Sequence, residues 1–428
     1  MKDSKRFKLV FLISFFSICL LYVIAGLLAT GDYVPKNEDG YFKVYISSTK
    51  SQKVATADVA DATESSNHNA TEYILLSKSE PNSSFDNQNI TETDFKTESE
   101  TIKTLKKVYA ERQKVGGRKL FVGLADIRKS TENIFFIEST CATEKMAAQN
   151  KDNKGFVLNA RQCCAIESTA EMNLDHKVYI FHSCPLDDNF FKYSPKFVEK
   201  LFKLPNIHVV RLNTTEIFAG SPLEDLHRKK LLETSDYPVE HTSDLVRLTL
   251  LWRFGGTYCD LDVITIRSLN KLKTNWAGMQ DAEVIANGVL NFEPEGVGHQ
   301  ILQRALEHVN KHYDPNDWSA NGPLLITPII LQECKVQKVT EAQKHCNGNF
   351  TVLEKTILYT IYYESAGDFF QTNLGEKIVS YIKQSSYSVH FWNKMSHNML
   401  ITVGSTQAYG LLADEYCPLV YRNCGLKF

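Results

Sequence analysis

The stretch His241-Thr-Ser-Asp-Leu-Val-Arg-Leu-Thr-Leu-Leu-Trp-Arg-Phe-Gly-Gly-Thr-Tyr-Cys-Asp-Leu-Asp-Val-Ile-Thr-Ile266 decides how this chain is read. Ser243 is a good N-cap, and the residues after it are apolar nearly all round, so Ser243–Phe254 reads as a buried helix. Gly255-Gly256 stops that helix and turns the chain. A β-prone run, Tyr258–Ile266, follows and carries Asp260-Leu261-Asp262. At strand period the two carboxylates share one face and Leu261 takes the other. Asp244 and Arg247 lie one helical turn apart and project from the same side near the helix start.

Outward from this segment, apolar strand-like runs alternate with helix-length stretches. Strands are expected at Ile134–Ile137, Val178–Phe181 and Ile207–Leu212, and helices near Cys163–Met172 and Phe197–Leu204. Such alternation predicts an α/β fold with a mostly parallel central sheet and helices on its faces. Ligands on such sheets bind beyond the carboxyl ends of the strands. The folded body is expected over 117–428, its first strand following Glu132.

The chain has 428 residues, 43% hydrophobic, 11% aromatic and 23% charged, which excludes a wholly disordered chain, a collagen repeat and a polytopic membrane protein. Its net charge of -2 leaves no basic excess to hold a nucleic-acid backbone, so nucleic acid is not an expected partner. Leu9–Thr30 is an almost unbroken apolar run of bilayer-spanning length, preceded by Lys2, Lys5, Arg6 and Lys8. The positive-inside rule makes 1–8 a cytosolic tail, 9–30 a transmembrane signal anchor and the rest lumenal, a single-pass type II arrangement. The run is longer than the apolar region of a cleaved signal peptide.

Residues 31–116 are polar and poor in apolar periodicity, and read as a flexible glycosylated stem with a helical patch at Ile102–Arg112. Sequons stand at Asn69, Asn82, Asn89, Asn213 and Asn349. Ten cysteines suit an oxidising compartment, and no CxxC pair points to structural zinc. By closeness in sequence, Cys417–Cys424 and Cys334–Cys346 are the expected short-loop pairs, while Cys19 and Cys259 are expected to stay thiols.

Two carboxylates aimed at one point repel unless a cation joins them. An oxygen-rich site of this kind suits Mn²⁺ or Mg²⁺, completed by phosphate and water. A diphosphate leaving group follows, its growing charge offset by the ion. The Asp244/Arg247 pair reads either as a local salt bridge or as charges that meet the hydroxyls of a bound sugar. No GxxxxGK[ST], HExxH or GxSxG motif is present.

Ser243-Asp-x-x-Arg followed by Gly255-Gly-x-Tyr-x-Asp-x-Asp resembles the DxD glycosyltransferases of GT-A type, and more closely the α1,4-glycosyltransferases typified by lactosylceramide 4-α-galactosyltransferase. Ile134-Phe-Phe-Ile-Glu-Ser-Thr140, Cys164-Ala-Ile-Glu-Ser-Thr-Ala170, Asn287-Gly-Val-Leu-Asn-Phe292, Gly322-Pro-Leu-Leu-Ile-Thr327 and Val389-His-Phe-Trp-Asn-Lys394 fit the same family in order. The resemblance implies a retaining Golgi enzyme that moves Gal or GalNAc from a UDP-sugar, with Mn²⁺, onto a glycolipid or other glycan acceptor. GlcNAc or mannose transfer, an inactive glycan-binding relic and a homodimer stay open.

Carried over, Asp260 and Asp262 would bind metal, diphosphate and ribose, and Asp244 and Arg247 would hold the donor sugar. The strand end at Glu138-Ser139 would line the uridine pocket. His390 would be a late metal or phosphate ligand, with Trp392 and Asn393 closing over the diphosphate. Asn287 and the Asn321-Gly-Pro loop would face sugar or acceptor. For retention, Glu283, Glu293 and Glu295 are near enough in sequence to be considered as nucleophile. Front-face departure and attack, with a phosphate oxygen as base, is the expectation from the family type.

Overall fold

Central strands of a parallel sheet are covered on both faces and so read as continuous apolar runs, as Asn133–Glu138 does: all six of its residues are buried. The structure, a computed structural model, describes residues 119–141, 155–186, 194–346 and 348–428. The cytosolic tail, signal anchor, stem and the patch at Ile102–Arg112 lie outside the described residues. Among the described residues, no helix is long and apolar enough to cross a membrane.

Ten strands are described: β1 Phe121–Val122, β2 Asn133–Glu138, β3 Lys177–His182, β4 Ile207–Arg211, β5 Gly256–Cys259, β6 Val263–Thr265, β7 Trp276–Met279, β8 Ile285–Phe292, β9 Thr351–Leu353 and β10 Ser388–His390. Eight form one sheet in the order β1-β4-β3-β2-β5-β8-β7-β9, and β10 and β6 form a small second one. Pairing is parallel from β1 through β5 and again between β7 and β9, while β8 runs antiparallel to both β5 and β7. The α/β expectation with a mostly parallel sheet therefore holds.

The main helices are α1 Ala160–Met172, α2 Lys196–Leu201, α3 Pro238–Phe254, α4 Gly296–His312, α5 Pro323–Cys334, α6 Gly375–Ser385, α7 Asn393–Ser396 and α8 Ala408–Tyr416. Alternate residues of β2 enter different cores. Ile134 and Phe136 pack with α1, α2 and α8, whereas Phe135 and Ile137 pack with α3, α4 and α5. Two helical layers thus cover opposite faces of the sheet.

Three expectations need correction. Helix α3 starts at Pro238, in the first-turn position that proline favours, so Ser243 lies inside it and is not its N-cap. The run Tyr258–Ile266 is not one strand: Asp260–Asp262 forms a turn between β5, in the large sheet, and β6, which leaves to pair with β10. Cys417 pairs with Cys164, not with Cys424. It stands at the start of the short helix Pro418–Tyr421 and faces α1, while Cys424 lies past that helix with its thiol on the Tyr421 carbonyl. Cys334–Cys346 forms as expected, Cys141–Cys184 forms in addition, and Cys259 is a buried thiol.

Candidate active site

The Gly-Gly turn sets the site. Gly255 and Gly256 both have positive φ, at 65° and 104°. A Cβ on Gly256 would come within 2.2 Å of the Asn133 carbonyl, so only glycine lets the chain leave α3 and enter the sheet beside β2. Strand β5 then ends at Cys259, and the Asp260 amide donates to the Gly288 carbonyl at 2.8 Å, extending the β5–β8 ladder by one bond. Beyond the turn, β6 pairs antiparallel with β10, with Val263 opposite His390, and the Phe391 amide donates to the Asp262 carbonyl at 3.0 Å. A pairing between segments well over 100 residues apart therefore delivers the imidazole to the carboxylates.

His390 Nε2 lies 3.3 Å from Asp260 Oδ2 and 3.4 Å from Asp262 Oδ1. One ligand atom from each of the three falls within 4.8 Å of the others. The Trp392 amide donates to His390 Nδ1 at 3.1 Å, which puts the ring proton on Nε2, toward both acids. Asp260 Oδ1 accepts from Tyr258 Oη at 2.5 Å and faces Arg247 Nη2 at 3.4 Å. The Asn393 amide donates to Asp262 Oδ2 at 2.6 Å.

Burial opposes the charge on both acids, with opposite outcomes. At Asp260 the Arg247 guanidinium, His390 and the Tyr258 hydroxyl hold the carboxyl below its ordinary range. At Asp262 burial wins, helped by the charge on Asp260, and the carboxyl is pushed up against the pull of His390 and the Asn393 amide. Burial works against the His390 imidazolium, yet the facing carboxylates raise its pKa.

Arg247 is buried and fully engaged. It donates to the Asn287 carbonyl (2.9 Å) and to Ser243 Oγ (3.1 Å), pairs with Asp244 Oδ1 (3.2 Å) and lies over the Tyr258 ring. Asp244 Oδ1 also accepts from Asn287 Nδ2 at 2.9 Å. Burial pushes the Asp244 carboxyl up to about 6, with Asp260 adding to the shift and Arg247 and Asn287 opposing it.

A cavity of about 630 Å³ takes in Ser139, Asp244, Arg247, Asp260, Asp262, Asn287, His390, Trp392 and Asn393. These nine residues singled out from the sequence thus meet the same space. Others do not. Glu138 is buried in its own loop, accepting from the Thr140 amide at 2.7 Å, and Asn321 lies off the cavity wall. Glu283, Glu293 and Glu295 stand outside the cavity too; Glu293 accepts from Asn275 Nδ2, and Glu295 from Lys129.

Among the cavity residues that sequence reasoning passed over are Tyr258, Gly288, Tyr359 and Gln280. Tyr258 stands two residues before Asp260, a same-face spacing that could have flagged it. Gly288 lies in a quoted segment, and a Cβ there would sit 2.7 Å from Asp260 Oδ2 and 3.0 Å from His390 Nε2. Tyr359, whose hydroxyl accepts from the Val289 amide at 2.9 Å, and Gln280, just past β7, carry no local signal.

Residues 138–277 match the glycosyltransferase sugar-binding region containing a DXD motif, and residues 294–424 match the alpha 1,4-glycosyltransferase conserved region. The first match covers β3 to β6 and the Asp260–Asp262 turn, the part of the sheet that carries the two carboxylates. The second covers α4, α5 and the segment that carries His390, so the chain is similar to α1,4-glycosyltransferases over that region. Lactosylceramide 4-alpha-galactosyltransferase of Rattus norvegicus is 29% identical over 218 residues, 51% of this chain and 59% of that protein. Alpha-1,4-N-acetylglucosaminyltransferase of Homo sapiens is 25% identical over 224 residues, 52% of this chain and 63% of that one. The chain thus spans about three-fifths of the length of these relatives. A solved galactosyltransferase, LgtC in complex with donor and acceptor sugar analogs, is 14% identical with a TM-score of 0.30, over 69% of this chain and 97% of that one.

Proposed function

We propose that the chain is a retaining α1,4-glycosyltransferase that moves Gal or GalNAc from a UDP-sugar onto the terminal sugar of a glycosphingolipid or related glycan. The observation that carries this reading is the convergence of Asp260, Asp262 and His390 in a cavity that also holds the Asp244–Arg247 pair. The donor set fits a divalent ion: two carboxylates and an imidazole meet, and glycine at 288 keeps open the space a Cβ would fill. Asp260, Asp262 and His390 would hold Mn²⁺ or Mg²⁺, which would offset the charge growing on the departing diphosphate.

The chain's own groups do the rest. Asp244, held by Arg247 and Asn287, presents a carboxyl oxygen to a sugar hydroxyl. Trp392, with φ of 54° and its indole N–H on the Ile361 carbonyl at 2.8 Å, is fixed as a wall against the phosphates and keeps water from them. Ser139, at the carboxyl end of β2, lies where a uracil or ribose edge would rest. The three glutamates considered as nucleophile stand away from the cavity, which favours front-face departure and attack with a phosphate oxygen as base.

GlcNAc transfer is the second reading, favoured by the similarity to an α1,4-N-acetylglucosaminyltransferase. The membrane anchor, the type II orientation and a Golgi location belong to this proposal, on the strength of Leu9–Thr30 and the sequons. The test is a screen of UDP- and GDP-sugars against lactosylceramide and free glycans, with and without Mn²⁺, using the full chain and Asp262→Ala. Metal-dependent transfer lost in the variant is expected. Full transfer after exhaustive chelation would sink the reading.

A further inference from the structure

The cavity changes character from floor to mouth. Its floor is charged, with Asp244, Arg247, Asp260, Asp262 and His390, while four of its rim residues are apolar and open to solvent: Val239 (38% exposed), Trp318 (45%), Leu324 (54%) and Met395 (55%). Among the described residues nine large hydrophobic side chains are exposed, and these four meet at one opening. Met399 and Leu400, also exposed, follow Met395 within five residues.

Their placement is built, not incidental. Val239, Leu324 and Met395 stand in the first turns of α3, α5 and α7, where polar residues usually serve better. Trp318 follows Asp317, whose carbonyl accepts from the buried His241 Nε2 at 3.0 Å. Across the mouth, Lys394 Nζ pairs with Glu240 Oε1 at 2.7 Å and ties α7 to α3. Arg161 donates to the Ser396 carbonyl at 3.2 Å and holds the far end of α7. The rim therefore presents four exposed apolar side chains on elements that are held in place.

Clustered exposed apolar surface marks a binding surface. A sugar ring needs one aromatic face, which Trp318 alone could give; valine, leucine and methionine have no such face and suit hydrocarbon. A charged floor continuous with an apolar mouth matches an occupant that is polar at one end and aliphatic at the other. We propose that this rim seats the hydrocarbon of a lipid-linked acceptor, next to the head group, while the glycan enters the cavity. This rests on the transferase reading above and deepens it.

Two measurements test it. In the first, the full chain in nanodiscs transfers to lactosylceramide or to free lactose. Leu324→Ser with Met395→Ser should lower the kcat/KM ratio of the lipid-linked to the free acceptor about tenfold, mainly through KM, and Leu324→Ile with Met395→Leu should restore it. Equal loss on both acceptors, or no loss, overturns the proposal. The second needs no transfer, so it separates this proposal from the transferase reading. The chain's four tryptophans are Trp252, Trp276, Trp318 and Trp392, none of them in Leu9–Thr30. Lactosylceramide with a brominated acyl chain should quench tryptophan fluorescence, and Trp318→Phe should remove most of that quenching. Quenching equal in Trp318→Phe and the unsubstituted chain overturns the proposal.

Discussion

Gly288→Ala is the sharpest perturbation the site offers, because it adds one methyl group and no charge. The new Cβ would stand 2.7 Å from Asp260 Oδ2 and 3.0 Å from His390 Nε2, where ordinary contact begins at 3.4 Å. Relief by Asp260 alone needs a retreat of about 0.7 Å. That carboxylate has little freedom, since its other oxygen is held by Tyr258 Oη at 2.5 Å and faces Arg247 at 3.4 Å. His390 is fixed by the β6–β10 pairing and by the Trp392 amide. Overpacking of this kind costs about 1–3 kcal/mol, and a displacement near 1 Å in a catalytic group costs on the order of 10²-fold in rate. The expected result is a 10- to 100-fold weaker Mn²⁺ affinity by calorimetric titration, a matching loss of Mn²⁺-dependent UDP release, and a chain that still melts cooperatively. Unchanged Mn²⁺ affinity and rate in the variant would refute the placement of the ion.

Three further outcomes are expected. Because the Asp244 carboxyl is raised to about 6, the folded chain holds an extra proton between roughly pH 4 and 6, so stability falls as pH rises through that window and is level above it. Asp244→Asn removes that fall, so its stability relative to the unsubstituted chain should improve by about 2–3 kcal/mol from pH 4 to pH 7; parallel pH profiles in denaturant melts would contradict this. Cys417→Ser opens a disulfide between residues 253 apart and should cost about 2–5 kcal/mol, whereas Cys424→Ser should leave the melting temperature nearly unchanged; an equal loss in both variants would restore the Cys417–Cys424 pairing. In metal-free protein Asp260→Asn should destabilise, because it removes a partner from buried Arg247, while Asp262→Asn should not, because that carboxylate is the strained one of the pair. Thermal melts in chelator decide between them.

Much of this was legible. β2, β3 and β4 announce themselves as apolar runs because parallel strands buried on both faces cannot alternate with polar residues. The helix start was misplaced because Ser243 looks like a cap, while the better signal, Pro238, stood five residues earlier; inside α3 the serine hydroxyl serves Arg247 instead. The break at Asp260–Asp262 has no local cause that a sequence shows. Tyr-Cys before it and Val-Ile-Thr after it favour one strand, and only the departure of β6 to a partner near residue 389 bends the chain. The Cys417–Cys424 pairing failed for the same reason, since nearness along the chain says nothing about which way Cys417 faces, while Cys334–Cys346 formed as expected. Tyr359 and Gln280 reach the cavity by tertiary packing alone.

The two carboxylates are alike in sequence and unlike in surroundings, and that difference bears on what the site can do. Asp260 is flanked by a buried guanidinium, an imidazole and a phenol, all donors, so its charge is fixed and its position with it. Asp262 has the imidazole and one backbone amide, and it bears the repulsion of its neighbour. A cation arriving between them would gain little by further ionising Asp260 and much by relieving Asp262. His390 Nε2 would have to give up the proton it now turns to the pair before it could serve such a cation, so metal uptake would be linked to proton release. Arg247 lies on the side of Asp260 away from this exchange and contacts Asp244 as well. One buried guanidinium therefore couples the carboxylate proposed for the sugar to the carboxylate proposed for the metal.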